Sequence, residues 1–453
     1  MDKLQHIVAI EIGSSKIIGA IATKSPEGKI QFEAMEEEHI VDCIRYGCIK
    51  NVEETYVRVK RIIQKLENRT SIAPRKIKSV YVGIGGRSLR IIQKKVEKSF
   101  SEDTTITAGI IDNMRKQAKH EILDSYEILD TVPCRFIVDN VEVKNPIGTL
   151  GSKICAYYDL IIGKEQIRSN IKRVLSERLQ LNVRGYLVTA LCTADQLLSY
   201  DERQLGCMLV DFGAETTTVS VYKENALLYM FVMPIGSRNI TRDITSLKVL
   251  EETAEQIKRS IGNAMSNADA NKLSIEGISG TEVSNYIMAR SGEIVANIIE
   301  QLQYAGLTVA DIPAGIVVIG GGAKLNGFVE LIAQQTNAKV RKGAPNSDVK
   351  ILESAANNLE YATIVSILAK AAELIPSDVT CCEEPPAVMT LNESFSAGTT
   401  INDTVAAKAD DEPKEEPKPK TRNRLSLLWD RLVEKSGNAF SDDDDDDENE
   451  ITK

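Results

Sequence analysis

The stretch that decides the fold is Ile7-Val-Ala-Ile-Glu11-Ile-Gly13-Ser14-Ser15-Lys16-Ile-Ile-Gly-Ala-Ile21. An apolar strand runs into an acid, an apolar residue and a glycine. A short polar turn follows and a second apolar strand runs back, which reads as a β-hairpin. Two hundred residues later the pattern returns as Met208-Leu-Val-Asp211-Phe-Gly213-Ala214-Glu215-Thr216-Thr217-Thr-Val-Ser-Val221. The near-repeat implies two related domains, each opening with a hairpin that carries a carboxylate, Glu11 or Asp211, at its tip.

A turn of Gly and Ser/Thr offers N–H and O–H donors to phosphate oxygens, and glycine lets the chain approach closely. A carboxylate beside such a turn can hold Mg²⁺ through waters, because this ion keeps much of its hydration shell. Two hairpins facing each other across a cleft would clamp a nucleoside triphosphate tail from both sides. A third element, Val317-Val-Ile-Gly320-Gly321-Gly322-Ala323-Lys324-Leu325, has the strand–turn–helix form expected where backbone packs against a nucleoside.

Around these motifs the chain alternates strands and helices, which predicts an α/β fold with mainly covered sheets. Val57 to Leu66 has helical spacing, Ser79 to Ile84 reads as a buried strand, and Ile161 to Leu181 as a strand followed by an amphipathic helix. Residues 84–160 carry strand and helix patterns of their own, including Val132 to Val143, and read as an inserted subdomain. After the second hairpin, helical stretches at Val249 to Ala264 and Ser284 to Tyr304 precede the strand Ile316 to Ile319.

Of 453 residues, 43% are hydrophobic, 26% charged and 5% aromatic, ample for more than one packed unit. The net charge of −10 is concentrated at the end: Asp442 to Asp447, Glu448 and Glu450 against Lys453 leave only −3 for residues 1–441. A nearly neutral body has no basic field for nucleic acid. The eight cysteines are scattered without a CxxC pair, the three histidines lie far apart, and Glu11 interrupts the first apolar stretch. Reduced cytosolic thiols are expected, with no metal cluster and no signal peptide. No apolar run is long enough to span a membrane.

From Pro376 to Lys420 the composition turns to proline, acid, lysine and Ser/Thr, a flexible linker with a random-coil reach of roughly 35–40 Å. Beyond it Leu425, Leu428, Trp429, Leu432 and Val433 fall at helical spacing on one face. Arg422, Arg424, Arg431 and Lys435 lie at its borders or opposite, suited to anionic headgroups. The expectation is a membrane-targeting amphipathic helix, with docking on the body or on a partner protein as the alternative. The aspartate run after it should be repelled by an anionic bilayer and weaken attachment.

The order of the three motifs resembles the actin, Hsp70 and sugar-kinase superfamily, with two phosphate hairpins and an adenosine turn. Glu at position 11, Val141-Glu-Val-Lys-Asn-Pro-Ile-Gly148, Asp201-Glu-Arg-Gln-Leu-Gly206 and Glu255-Gln-Ile-Lys258-Arg-Ser-Ile-Gly262 narrow the resemblance to the FtsA family of bacterial cell-division proteins. It covers about residues 5–374 and is taken up again by the C-terminal helix.

The resemblance implies an actin-like two-domain fold with ATP and Mg²⁺ in the central cleft. The first half would be 1–82 with 161–205, and an SHS2-like insertion 83–160. The second half would be 206–225 with 311–375, a further subdomain 226–310, the linker 376–420, the targeting helix 421–437 and an acidic tail 438–453. Glu11, Gly13, Ser14, Ser15 and Lys16 match the first phosphate hairpin, and Asp211, Gly213, Ala214, Glu215, Thr216 and Thr217 the second. Glu255 and Lys258 match a helix that contacts the adenosine, or else form a solvated i,i+3 ion pair. Gly320, Gly321, Gly322 and Ala323 match the adenosine turn.

Glu11 and Asp211 would hold the magnesium, through water. The implied function is an ATP-binding adaptor with weak or no ATPase activity. It would polymerise, bind the tubulin-like protein FtsZ near Arg290 and Glu293, and meet other divisome proteins at the septum. It would lie on the cytoplasmic face of the inner membrane, with no nucleic acid as partner. Thr189-Ala190 stands where many relatives carry Glu-Pro, so a side chain that could orient a hydrolytic water is missing. A small-molecule kinase and an Hsp70-like chaperone are the alternatives. The first needs a positioned base that no residue supplies, and the second a β-sandwich for which residues 376–453 are too few and too polar.

Overall fold

The computed structural model describes residues 4–120, 123–265, 274–275, 277–345, 349–350 and 358–384. The first hairpin forms as its sequence dictates: Gln5–Ile12 pairs antiparallel with Lys16–Lys24, from Gln5↔Lys24 to Ile12↔Ile17. Ile7, Val8, Ala9 and Ile10 are all buried, so the strand is covered on both faces, as a continuous apolar run requires. Ile30–His39 extends the meander on one side. On the other side Ser79–Ile84 pairs parallel with the first strand, and Asn182–Val188 parallel with Ser79–Ile84.

The second half repeats this plan. Cys207–Phe212 and Thr217–Lys223 form the hairpin, Ala226–Met233 extends it, and Gly315–Ile319 and then Val340–Lys342 add in parallel. Both sheets therefore run third, second, first, fourth, fifth strand in the same senses, with the two-residue strand Val349–Lys350 added at the outer edge of the first. The near-repeat at the hairpins marks a duplication of two whole five-stranded halves.

Helix Val52–Glu67 is capped by Asn51, whose side chain accepts from the Glu54 N–H, and it turns Val59, Ile62, Ile63 and Leu66 into the core. The inserted subdomain is a four-stranded antiparallel sheet built from Arg90–Thr105, Tyr126–Val138, Val141–Val143 and Leu150–Lys164, with helix Ala108–Ala118. It has its own core of Val96, Ile106, Met114, Val138, Ile154, Tyr158 and Leu160. The strand expected from Ile161 begins eleven residues earlier, because Leu150 to Ile162 pairs along Thr105 to Arg90. A short helix, Gln166–Lys172, and a π-helical turn, Arg173–Arg178, follow it.

Between the hairpin and the last strands of the second half lie helices Ser237–Ile244, Glu251–Ile261 and Gly280–Tyr304. The last of these starts four residues before Ser284, where the apolar spacing begins. The closing helix Ala362–Leu374 returns from the second half and packs against Thr189–Leu197 and the strands of the first. It is buried from Ala362 to Ala372 except at Lys370, with Thr363 and Ser366 the polar residues among the buried positions.

Three boundaries are corrected. Ala226–Met233, assigned above to the subdomain 226–310, pairs as the third strand of the second sheet, and Ala362–Leu374, assigned to the second half, packs into the core of the first. Residues 376–384, assigned above to the flexible linker, are fastened to the first half. Gln5 Nε2 donates to the carbonyls of Pro376 (2.6 Å) and Val379 (2.7 Å), Cys381 N–H to His6 O (2.8 Å), and Lys78 N–H to Cys381 O (2.9 Å). Cys382–Glu383 adds as a short antiparallel strand to Lys76–Ile77, with Cys381 and Cys382 buried. The adjacent cysteines behave as small hydrophobes that join the core of the first half, a signal the surrounding prolines and acids mask. All eight cysteines are unpaired. The remainder of the linker, the helix with Leu425, Leu428, Trp429, Leu432 and Val433, and the acidic tail lie outside the described residues. Among the described residues no helix is long and apolar enough to cross a membrane.

Candidate functional site

The two hairpin turns are built alike. Gly13 N–H donates to Lys16 O at 3.1 Å, and Gly213 N–H to Thr216 O at 2.9 Å, each closing a four-residue turn just beyond the acid-bearing strand. Both acids then meet a third element, the start of the closing helix. Glu11 accepts a hydrogen bond from the backbone of Ile364, and Asp211 one from the side chain of Thr363. A helix N-terminus favours negative charge, yet here two carboxylates share it. Burial and the neighbouring Asp211 push the Glu11 carboxyl up to about 8, against the pull of Lys16, and burial pushes Asp211 up to about 6. Although Glu11 as a residue is only partly buried, its Oε2 is sealed from solvent and has no hydrogen-bond partner.

Gly320 belongs to the same cluster. Its φ is +92°, and an added Cβ would lie 2.5 Å from both Asp211 Oδ1 and Phe212 O, so only glycine lets the third turn lie against the second hairpin. Gly321 opens the short helical turn Gly321–Lys324, in which Gly322 and Ala323 are buried. Beside it, a cavity of about 390 Å³ is lined by Lys324, Lys342, Gly343, Ala344, Pro345, Asn358, Leu359 and Ala362. Its wall includes Lys342 at the carboxyl end of Val340–Lys342, and ligands of open α/β sheets sit at such strand ends.

Lys16 is drawn into a chain of charge across the two halves. Its Nζ donates to Glu37 Oε2 (2.8 Å) and Glu360 Oε2 (3.2 Å) and lies 4.3 Å from the centre of the Tyr361 ring. Glu360 also takes Lys324 Nζ at 2.9 Å. Burial opposes ionisation of Glu360, but Lys324, Lys16 and Asn358 hold its carboxyl down to about 2. Ser14 Oγ accepts from Gly47 N–H at 2.9 Å, while Ser15 is exposed and its carbonyl accepts from Ile40 N–H. Thr217 Oγ1 donates to Ile235 O at 2.7 Å, and Ala214 O accepts from Arg238 N–H. Thr216 is partly exposed at the turn.

Three residues matched to the ligand are otherwise engaged. The Glu215 carboxylate is 2% exposed and accepts from Tyr46 N–H (2.8 Å) and Arg238 Nη1 (2.9 Å), with Arg242 Nη2 at 3.7 Å, so both of its oxygens are engaged within the protein. Glu255 and Lys258 do form an i,i+3 pair at 2.6 Å, but the lysine is buried rather than solvated, and donates to Ser237 O and Thr241 Oγ1. Burial lowers Lys258. It also works against Glu255, which Lys258, Thr241 and Arg259 nevertheless hold down to about 2.

At the departure from the family pattern, Thr189 Oγ1 donates to Ile84 O at 3.2 Å, which uses the hydroxyl within the fold. Arg290 and Glu293 lie on Gly280–Tyr304. There the Arg290 guanidinium is bidentate to Asp243 (2.6 and 3.1 Å) and donates to Glu293 (2.6 Å).

The sequence reading missed Thr363, Ile364, Glu37, Glu360, Tyr46 and Lys342. No spacing rule points to them, since each reaches the cluster from a distant element. The Glu360-Tyr361 pair ahead of the apolar run from Ala362 could have been read as a helix start.

Comparison with known proteins places this arrangement. The chain is 31% identical over 486 residues to the cell division protein FtsA of Porphyromonas gingivalis, covering 99% of this chain and 100% of that one. The chain belongs to the FtsA family. The family model "Cell division protein FtsA" matches residues 208–366, and "SHS2 domain inserted in FTSA" matches 86–162. The Bacillus subtilis FtsA is 28% identical over 76% of this chain and 80% of its own. Among solved structures, a chain of the PilM–PilN type IV pilus biogenesis complex superposes with a TM-score of 0.59 at 14% identity, over 82% of this chain and 99% of that chain. That likeness speaks to the fold alone. The family's place is cell division, and the duplicated halves give the actin-like architecture expected from the sequence.

Proposed function

We propose that this chain binds ATP with Mg²⁺ between its two halves, polymerises, and links FtsZ filaments to the cytoplasmic face of the membrane at the septum. The observation that supports the nucleotide reading best is the convergence of Glu11, Asp211 and Gly320 on the start of the closing helix. Two carboxylates that meet at one helix start, one with a sealed and unpartnered oxygen, are a donor set suited to a cation. Among the described residues no cluster of three acids, histidines or cysteines could hold a metal. Mg²⁺ is held through one or two carboxylates and completes its shell with water and phosphate.

Glu11 and Asp211 would hold the ion, the N–H groups of the 13–16 and 213–216 turns would face the phosphates, and Gly320 to Ala323 would line the nucleoside. Mg²⁺–ATP supplies the positive charge these carboxylates lack and the anionic oxygens the turns can donate to. Turnover should be slow, because the Thr189 hydroxyl already donates to Ile84 and no other base is matched to the site. The adaptor role follows from the family's place in division. Contacts with FtsZ, with further copies and with other divisome proteins belong to the same proposal, and the apolar face of residues 425–433 would carry the membrane contact.

Calorimetric titration of the full chain with ATP, with and without Mg²⁺, tests the site. Metal-dependent binding is expected, weakened at least roughly tenfold in Asp211→Ala. Normal affinity in that variant would show that the second hairpin is not the phosphate site.

A further inference from the structure

Ile44–Arg45 and Cys48–Ile49 form a miniature hairpin between the third strand and first helix of the first half, with Ile44 opposite Ile49 and Arg45 opposite Cys48. Its two-residue tip is Tyr46-Gly47, both at positive φ (49° and 76°), as such tight turns require. Glycine accepts this freely, and here a Cβ would also meet Gly86 Cα at 2.8 Å. A tyrosine in the left-handed region is strained and is held there only by its surroundings. Those surroundings are specific. The Tyr46 carbonyl accepts from Arg87 N–H, and the Arg87 guanidinium lies 5.0 Å from the centre of its ring.

The consecutive amides of this tip point at the two phosphate hairpins. Gly47 N–H is held by Ser14 of the first hairpin and Tyr46 N–H by Glu215 of the second. Glu215 is in turn braced by Arg238, which also pairs with Glu251 at 2.8 Å. An anionic side chain engaged by two donors is a poor phosphate ligand, since it offers no proton and would repel the phosphate.

We propose that Glu215 is a positioning residue that fastens the 44–49 hairpin of the first half across the cleft to the second, and that this latch limits how fast nucleotide leaves. The second part rests on the nucleotide reading above; the first does not. The latch joins the halves at the phosphate turns themselves, so opening the cleft requires Tyr46 N–H to leave the carboxylate. Glu215→Gln keeps an oxygen for Tyr46 N–H, whereas Glu215→Ala removes it.

Two measurements on the full chain separate the parts. Hydrogen–deuterium exchange without nucleotide, read on residues 40–51, should be about tenfold faster in Glu215→Ala than in the wild type and close to wild type in Glu215→Gln. Exchange elsewhere in the first half should be unchanged in both. Release of a fluorescent ADP analogue should follow the same order, fastest in the alanine variant. Unchanged exchange at 40–51 in Glu215→Ala overturns the latch. Faster exchange with unchanged release overturns its control of nucleotide, and absence of nucleotide binding in the wild type overturns the nucleotide reading while the exchange result still decides the latch. Should the alanine variant fail to fold, Glu215→Asp, which keeps a carboxylate on the Arg238 side but is one methylene shorter towards Tyr46 N–H, must speed exchange at 40–51, and no change there overturns the latch equally.

Discussion

Glu11 and Asp211, 200 residues apart in the chain, end on the same helix: one accepts from the backbone of Ile364, the other from the side chain of its neighbour Thr363. The closing helix thereby ties both hairpins to one point, and its first turn is where the two halves share charge. Like charges that meet at one helix start, with one oxygen sealed from solvent, cannot both ionise cheaply, which makes the pair sensitive to pH and to cations.

The first prediction follows from the sign of those shifts. Both carboxyls titrate above their ordinary values in the folded protein, Glu11 at about 8 and Asp211 at about 6, so between about pH 4 and 8 the folded state holds protons that the unfolded state has released. Their contribution to stability is complete below the ordinary carboxylate range and is lost as pH rises toward 8. In EDTA and without nucleotide, the thermal midpoint should fall from pH 5 to pH 8, and Glu11→Gln should flatten that slope. A midpoint that rises over this interval in the wild type, or an unchanged slope in the variant, would contradict the shared-proton account. Nucleotide with Mg²⁺ should raise the midpoint most at pH 8, where both carboxylates are charged.

A second prediction concerns the third turn. Gly320→Ala forces an L-residue to φ +92° and places a methyl 2.5 Å from Asp211 Oδ1, so a loss of about 2 kcal/mol or more is expected in urea unfolding. Gly321→Ala is the control, because its Cβ would have Glu360 Cβ at 3.8 Å as nearest neighbour. That variant should stay within about 0.5 kcal/mol of the wild type.

For the proposed FtsZ contact, the structure changes how Arg290 must be tested. The guanidinium is held by Asp243 and Glu293, so Arg290→Glu alone places like charges together and would disturb the contact between Ser237–Ile244 and Gly280–Tyr304. Arg290→Glu combined with Asp243→Arg restores the intramolecular pair in reverse. If Arg290 grips an acidic tail peptide, binding measured by fluorescence anisotropy should stay weakened in the double variant although its thermal midpoint recovers. Recovery of both would assign Arg290 to packing alone.

The membrane proposal can be read by sedimentation with anionic liposomes. Trp429→Glu puts a charge in the middle of the apolar face and should abolish co-sedimentation while ATP affinity is unchanged. Removing residues 441–453 should strengthen binding, most at low salt where repulsion is least screened. Unchanged sedimentation of the tryptophan variant would point to a protein partner for this face.

The alternation of apolar strand, acid, glycine and small polar turn in 7–21 and 208–221 determined both hairpins, because such a pattern is satisfied by neighbours in sequence alone. The same holds for helix Val52–Glu67 and for the inserted subdomain as a separate body with its own core. From the hairpin repeat the duplication of the halves could be inferred, and the motif order, by resemblance, pointed to the family. Which side chains serve the cleft was decided only by tertiary structure. Glu255 and Lys258 are turned inward by the packing of Glu251–Ile261 on Ser237–Ile244, Glu215 is claimed by an amide 169 residues earlier in the chain, and Lys16 is shared with a glutamate 344 residues later. A charged side chain that must leave water takes whatever partner the fold brings within about 3 Å, and that partner is set by how sheets and helices stack, not by spacing along the chain. The ordered segment 376–384 shows the same limit. Its proline and acids read as linker, but two buried cysteines, the short strand Lys76–Ile77 and the His6 carbonyl give its backbone hydrogen bonds somewhere to go.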